Sequence, residues 1–277
     1  MASKANARYE AADELTAREL VIDFLSNRAP REMSARLIVD SASALGFSEQ
    51  SIRMALTRIV EDGVAISAAR GLYKLAPSGE TMRVEVRKWR NILNLTERWS
   101  GAWIAVHDAH IRRSDRAALR RHEQALRLRG FADLSVGLRI RPANLRDPLD
   151  ALRAQLHALG LHHEAIVATL RDLDDHTQEG AMKLWDTANL VGSYERLTRA
   201  LAESTERVQH LKLEQAAGET LVLGRTVLRH INLDPLLPEE LMPAEPLRRL
   251  VHDMMTYDDM ARQIWRRFMR EVESSQQ

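Results

Sequence analysis

Between Phe47 and Asp62 the apolar residues Ile52, Ala55, Leu56, Ile59 and Val60 recur at three- and four-residue spacing. At 100° per residue that spacing collects them on one side of a helix. Gln50, Met54 and Thr57 fall on the opposite side, with Arg53 and Arg58 on the flanks. One face is expected to meet a core and the other to stay free for a partner. Ser48 stands where an N-cap belongs and Gly63 where a C′ glycine belongs, so both ends of the helix are predicted as well.

Similar patterns flank this stretch. Residues 1–15 read as a polar lead-in, after which Thr16 and Glu19 form a capping box ahead of the helix TARELVIDFLSN, with Leu20, Val21, Phe24 and Leu25 inward. Ala29-Pro30 breaks that helix. Ser34 opens a second one to about Leu45, with Leu37, Ile38, Ser41 and Leu45 inward, and Gly46 and Phe47 turn the chain into the third. After Gly63 the pattern becomes two short apolar runs around Ala69-Arg70-Gly71, which predicts a β-hairpin with Arg70 at its tip and Lys74 on the returning strand. Three helices followed by a hairpin form a winged helix-turn-helix.

Pro77, Ser78 and Gly79 close this region, and a basic stretch leads to a buried-looking strand from Ala102 to His107. A helix ending at Gly130, two strands around Ser135, a helix in DPLDALRAQLHALG and a strand in HEAIVATL follow, in the order β-α-β-β-α-β. That order predicts a small ferredoxin-like sheet with both helices on one face. From about Glu179 long helical periods take over and run to the end, interrupted by the proline-rich LLPEELMPAEP. The expected class is therefore α+β. A winged helix-turn-helix occupies 1–80, a linker 81–99, a ferredoxin-like domain 100–177, and a helical effector and dimerisation domain 178–277.

Composition removes several alternatives. With no cysteine among 277 residues, thiol catalysis, disulfides and thiolate zinc sites are out, and a reducing compartment is favoured. The first residues lack an apolar core and no stretch is apolar enough to span a bilayer, so the expected location is cytoplasmic, away from any membrane. Basic and acidic residues nearly cancel, 40 against 39, but unevenly: Arg83 to Arg141 holds fourteen basic and six acidic residues, and Pro142 onward sixteen and twenty-two. A basic middle is suited to an anionic partner such as nucleic acid or a phosphorylated ligand.

TARELVIDFL, SEQSIRMALTRIVEDG, the pair Trp99 and Trp103, LWDTANLVGSYERL and RTVLRHINLDPLLPEELMP occur in this order. Together they resemble the phenylacetic acid degradation repressor (PaaX) family of bacterial transcriptional regulators, from about Thr16 to Met269. Two departures stand out: Val64 follows Gly63 where the family has an aromatic residue, and SAARG is shorter and less basic than the family's wing. The resemblance implies a homodimeric repressor of an aromatic-compound catabolic operon, bound to a pseudo-palindromic double-stranded operator. It also implies release by an aromatic acid or an aryl-coenzyme A thioester.

The candidate DNA contacts are Ser48, Gln50, Ser51, Arg53, Met54, Thr57, Arg58, Arg70 and Lys74. Gln50, Ser51 and Thr57 suit base edges, and the cationic residues suit phosphates, with Arg53 also able to read guanine. Candidate ligand residues are Trp103, His107, Trp185, Arg225 and His230: indole for stacking, guanidinium for a carboxylate or phosphate.

No catalytic residue, metal site or cofactor is assigned. The alternative is a metal-dependent nuclease, because Asp108 after the strand WIAVH resembles the metal-binding aspartate of CRISPR adaptation nucleases with the same sheet. A strand-ending aspartate is, however, more often a helix cap or turn former, and although His107, Asp108 and His110 could be metal ligands, strand alternation sends Asp108 to the face opposite the two histidines. His162, His163 and Glu164 are read as decorating a strand entry, and Asp172, Asp174, Asp175 and His176 as an acidic turn. A third class is a winged helix that binds only protein.

Overall fold

The computed structural model describes residues 15–27, 32–77, 88–111 and 115–275. The lead-in before Leu15, the Ala29-Pro30 break and the Ser78-Gly79 boundary lie outside them. The chain is mixed α and β with two antiparallel sheets, and divides into two compact units. Residues 1–89, 198–228 and 252–277 make up the first unit, and residues 90–197 and 229–251 the second.

In the first unit, α1 (Ala17–Asn27), β1 (Glu32–Ser34), α2 (Ala35–Ala44), α3 (Glu49–Glu61), β2 (Ala65–Ala69) and β3 (Leu72–Leu75) follow one another. The capping box is made: the Thr16 N–H donates to Glu19 at 3.0 Å and the Glu19 N–H to the Thr16 hydroxyl at 3.3 Å. Ser34 accepts the Leu37 N–H at 3.1 Å and so starts α2. The hairpin β2–β3 gains a third strand, β1, in the order β1-β3-β2, a strand absent from the expected pattern. Three residues are too few for an alternation of polarity to register.

Leu20, Val21 and Leu25 of α1, Ile38 of α2 and Ile52 and Ile59 of α3 are buried together in the core of this unit. Each such side chain contributes roughly 1.5–3 kcal/mol by leaving water. The same core takes Ala217, Phe268 and Met269 from the later part of the chain. Ser41 donates to the Met269 sulfur at 3.3 Å, and the ring of Trp265 meets Phe24 edge-on.

The second unit holds β4 (Trp103–His107), α4 (Arg116–Leu128), β5 (Ala132–Ser135), β6 (Leu138–Pro142), α5 (Leu149–Leu159) and β7 (Ile166–Leu170). The strands order β5-β6-β4-β7, every pairing antiparallel. Alternation on β4 divides the core: Ile104 and Val106 pack with Leu126 of α4 and Leu152 and Leu156 of α5, while Trp103 and Ala105 face Ile140, Ala181 and Trp185.

The remaining helices are α6 (Asp175–Met182), α7 (Thr187–Arg207), α8 (Leu213–Asn232) and α9 (Glu245–Ser274). The expected acidic turn at Asp172 to His176 runs into α6, which begins at Asp175. Asp174 is its N-cap, accepting the Thr177 N–H at 2.9 Å. Among the described residues no helix is long and apolar enough to cross a membrane.

Candidate nucleic-acid interface

Helix α3 has the two faces its pattern required. Ile52, Ala55, Leu56 and Ile59 are buried, and Gln50, Arg53, Met54, Thr57 and Arg58 are exposed, Met54 at 47%. A single large apolar residue on a helix surface is ordinary, but Met54 sits amid polar side chains able to form hydrogen bonds. The Ser48 hydroxyl accepts the Ser51 N–H at 3.2 Å, and Gly63 follows the helix at φ 67°, a left-handed conformation that glycine adopts without strain. The Glu49 and Gln50 N–H groups at the start of the helix have no partner among the described residues, an arrangement favourable to phosphate.

The polar side chains of this face differ in readiness. Arg53 is paired with Glu49 one turn earlier, its Nε and Nη2 at 2.7 and 2.6 Å from the same carboxylate oxygen. Both side chains are more than half exposed, so water screens the pair and a phosphate can replace Glu49 at little cost. Ser51 donates to the Ser48 carbonyl at 2.7 Å and Thr57 to the Arg53 carbonyl at 3.1 Å, which keeps both hydroxyls close to the helix surface. Gln50 and Arg58 have no side-chain partner among the described residues.

Arg70 occupies the exposed turn between β2 and β3 beside Gly71, whose φ is 73°. Lys74, opposite Glu32 in the sheet register, is held by it at 3.3 Å. Of the two cations expected on the hairpin, then, Arg70 is presented outward and Lys74 is half-occupied.

The five candidate ligand residues do not form one group. Arg225 belongs to the first unit, where it pairs with Glu19 at 2.8 Å and with Asp23, joining α8 to α1. Burial raises the carboxyl pKa of Asp23, and the guanidinium partly offsets that. The other four lie in the second unit. Trp103 is fully buried and donates its indole N–H to Gln178 at 2.8 Å. Its ring lies parallel to that of Trp185, 6.1 Å away, and edge-on to Trp99 at 4.9 Å. Trp103 is thus a core residue with no surface left for a ligand. Trp185 is half-buried, His230 likewise, and His107 is exposed.

Asp108 continues the helix-facing series of Ile104 and Val106, and so turns inward to α4. One carboxylate oxygen receives Arg139 Nη1 at 2.6 Å and His122 Nε2 at 2.7 Å. The His162 N–H donates to His122 Nδ1 at 3.1 Å, which leaves Nε2 of that ring to meet the carboxylate. A guanidinium already pairs with the carboxylate that a nuclease would need for its cation, which argues against the metal-dependent nuclease.

A second buried network has no counterpart in the sequence pattern. Arg141 donates to the carbonyls of Arg129 and Pro235 at 2.5 and 3.3 Å, and Asn144 to that of Leu236 at 2.8 Å. Asp234 accepts the Tyr194 hydroxyl and the Leu236 N–H. Burial pushes Asp234 up to about 6, against the pull of those hydrogen bonds, and lowers Arg141 to about 10. In the sequence Asp234-Pro235 is visible only as a helix end; buried charge leaves no mark in hydrophobic periodicity.

No family model matches the chain. It is 28% identical over 217 residues to the transcriptional repressor PaaX of Escherichia coli (strain K12), covering 72% of this chain. The chain spans 65% of the length of that relative. The solved structure of the uncharacterized protein Rv0674 from Mycobacterium tuberculosis superposes with a TM-score of 0.59 at 26% identity, over 90% of this chain and 98% of that one. The chain thus resembles a repressor in sequence and an uncharacterized protein in fold.

Proposed function

We propose that the chain is a DNA-binding transcriptional repressor that reads its operator with α3 and is released by an aromatic effector. The observation that carries this is the division of α3 into a buried apolar face and an exposed face bearing Gln50, Arg53, Met54, Thr57 and Arg58. A helix of this kind, capped by Ser48 and followed by a hairpin tipped with Arg70, supports assigning a winged helix-turn-helix domain to 1–80. Gln50, Ser51 and Thr57 address base edges, Met54 makes apolar contact in the groove, and Arg53, Arg58, Arg70 and Lys74 neutralise phosphates. Arg53 exchanges Glu49 for its new partner on binding.

The antiparallel order β5-β6-β4-β7 with α4 and α5 on one face supports a ferredoxin-like domain over 100–177, joined through a linker at 81–99. The helices of 178–277 supply effector binding and dimerisation, and two chains related by a two-fold axis read two halves of a pseudo-palindrome. The similarity to a named repressor favours repression. The family resemblance favours an aromatic acid or aryl-coenzyme A thioester, acting by changing the spacing of the two α3 helices. Trp185, His107 and His230 remain the residues assigned to it. Trp103, buried, and Arg225, engaged with two carboxylates, are withdrawn from that set.

Selection from a pool of randomised duplexes tests this function. The expected result is enrichment of one inverted repeat, with the Arg53→Ala, Arg58→Ala double variant losing that enrichment while remaining folded. Enrichment that survives the double variant unchanged would show that another surface reads the sequence.

A further inference from the structure

The edge of the second sheet where β4 ends and β7 begins is dense in imidazole. His107 closes β4 opposite Ile166, the first residue of β7, and His110 lies in the turn just beyond it. The turn entering β7 carries His162, His163 and Glu164. The rings of His107 and His110 stack at 5.4 Å and those of His162 and His163 at 4.5 Å. His110 Nε2 lies 2.9 Å from the Glu164 carbonyl oxygen, which ties the two turns together.

One ligand atom each from His162, His163 and Glu164 lies within 4.8 Å of the others. The Glu164 N–H donates to His162 Nδ1 at 3.2 Å, so that nitrogen carries a lone pair, and Glu164 Oε2 is 3.9 Å from it. We propose that this turn is a transition-metal site, in which His162 Nδ1, a nitrogen of His163 and the Glu164 carboxylate bind a borderline divalent cation of the zinc class.

Two imidazoles and one carboxylate form the donor set that zinc, nickel and copper(II) prefer, and a chain without cysteine offers no thiolate to compete. Metal–ligand bonds of about 2.1 Å require the donor atoms to close to roughly 3.4 Å. His163 and Glu164 are exposed, so rotation of their side chains supplies that closure without moving the backbone. His162 is the anchored member, since its N–H is fixed to His122 Nδ1 and through it to buried Asp108. The cation takes over the lone pair that the long Glu164 hydrogen bond engages. Its fourth position is left to water. Asp108, committed to Arg139 and His122, takes no part.

The test is titration of the full chain with zinc, then nickel, then copper(II), each against a chromophoric chelator. One equivalent of at least one ion is expected to bind. Affinity should fall tenfold or more in His163→Ala and in Glu164→Gln, both exposed positions whose far-ultraviolet circular dichroism should match that of the parent. His210→Ala, an exposed histidine of the first unit, is the control and should bind normally. Absence of stoichiometric binding by all three ions overturns the site. So does binding that the His163 and Glu164 substitutions leave unchanged.

Discussion

Asp234 is the residue whose environment departs most from what its neighbours in the chain imply. It is buried against the Tyr194 hydroxyl, and its pKa is pushed from the usual 3.8 to about 6. A carboxyl that binds its proton more tightly when folded stabilises the fold at low pH and loses that contribution as pH rises through about 6. Between about pH 4.5 and pH 7.5 the loss amounts to about 2 kcal/mol for a shift of this size. The amide introduced by Asp234→Asn can still accept from the Leu236 N–H and, through its nitrogen, donate to Tyr194, while the titration is removed. Denaturant unfolding at those two values should find the variant gaining on the parent by about that amount at the higher pH. A gap independent of pH would mean that Asp234 titrates normally. Neither this network nor that of Asp108, His122 and Arg139 was legible in the sequence. The cost of burying a charge depends on which distant groups surround it, and Pro235 and Arg141 are far apart along the chain.

At the level of elements the sequence was far more informative, because caps and periods are local. The Thr16–Glu19 box, the Ser34 and Ser48 caps and the glycine after α3 all stand where the pattern put them. What escaped was short or weakly patterned: β1 has three residues, and DHTQEGAM of α6 has little apolar period, its helix being set by the Asp174 cap and by burial of Ala181. Ser48 makes a discriminating probe because it is both a cap and a candidate DNA contact. Ser48→Ala should cost about 1 kcal/mol of stability by removing the acceptor for the Ser51 N–H, measured by denaturant unfolding. Ser48→Asp should restore stability, aspartate being an equally good cap, yet weaken DNA binding by placing a negative charge where a phosphate is expected. If the aspartate variant binds duplex as well as the parent does, the helix N-terminus does not face the backbone.

At the scale of the whole molecule, compactness groups the chain differently from helix content. Ala217, Phe268 and Met269 lie in the same buried cluster as α1, α2 and α3, so the unit that carries the candidate reader is built from both ends of the chain. Periodicity reports which face of a helix is apolar, never which partner covers it, so this assembly had no signature in the sequence. The charge asymmetry along the chain does not coincide with the candidate contact surface. Several arginines of the basic middle stretch are occupied internally, Arg139 by Asp108 and Asp133, and Arg141 by carbonyls. The candidate contact surface instead rests on a few residues of α3 and the hairpin, chiefly Gln50, Arg53, Thr57, Arg58 and Arg70.

That surface can be interrogated without knowing the operator, through the salt dependence of affinity for a random duplex. Each phosphate neutralised contributes about −0.9 to the slope of log affinity against log salt concentration. The predicted result is a steep negative slope for the parent that becomes shallower by about 2 in the Arg58→Ala, Arg70→Ala double variant, with folding unchanged. No measurable affinity at low salt, or a slope that the double variant leaves intact, would contradict DNA binding through α3 and its hairpin.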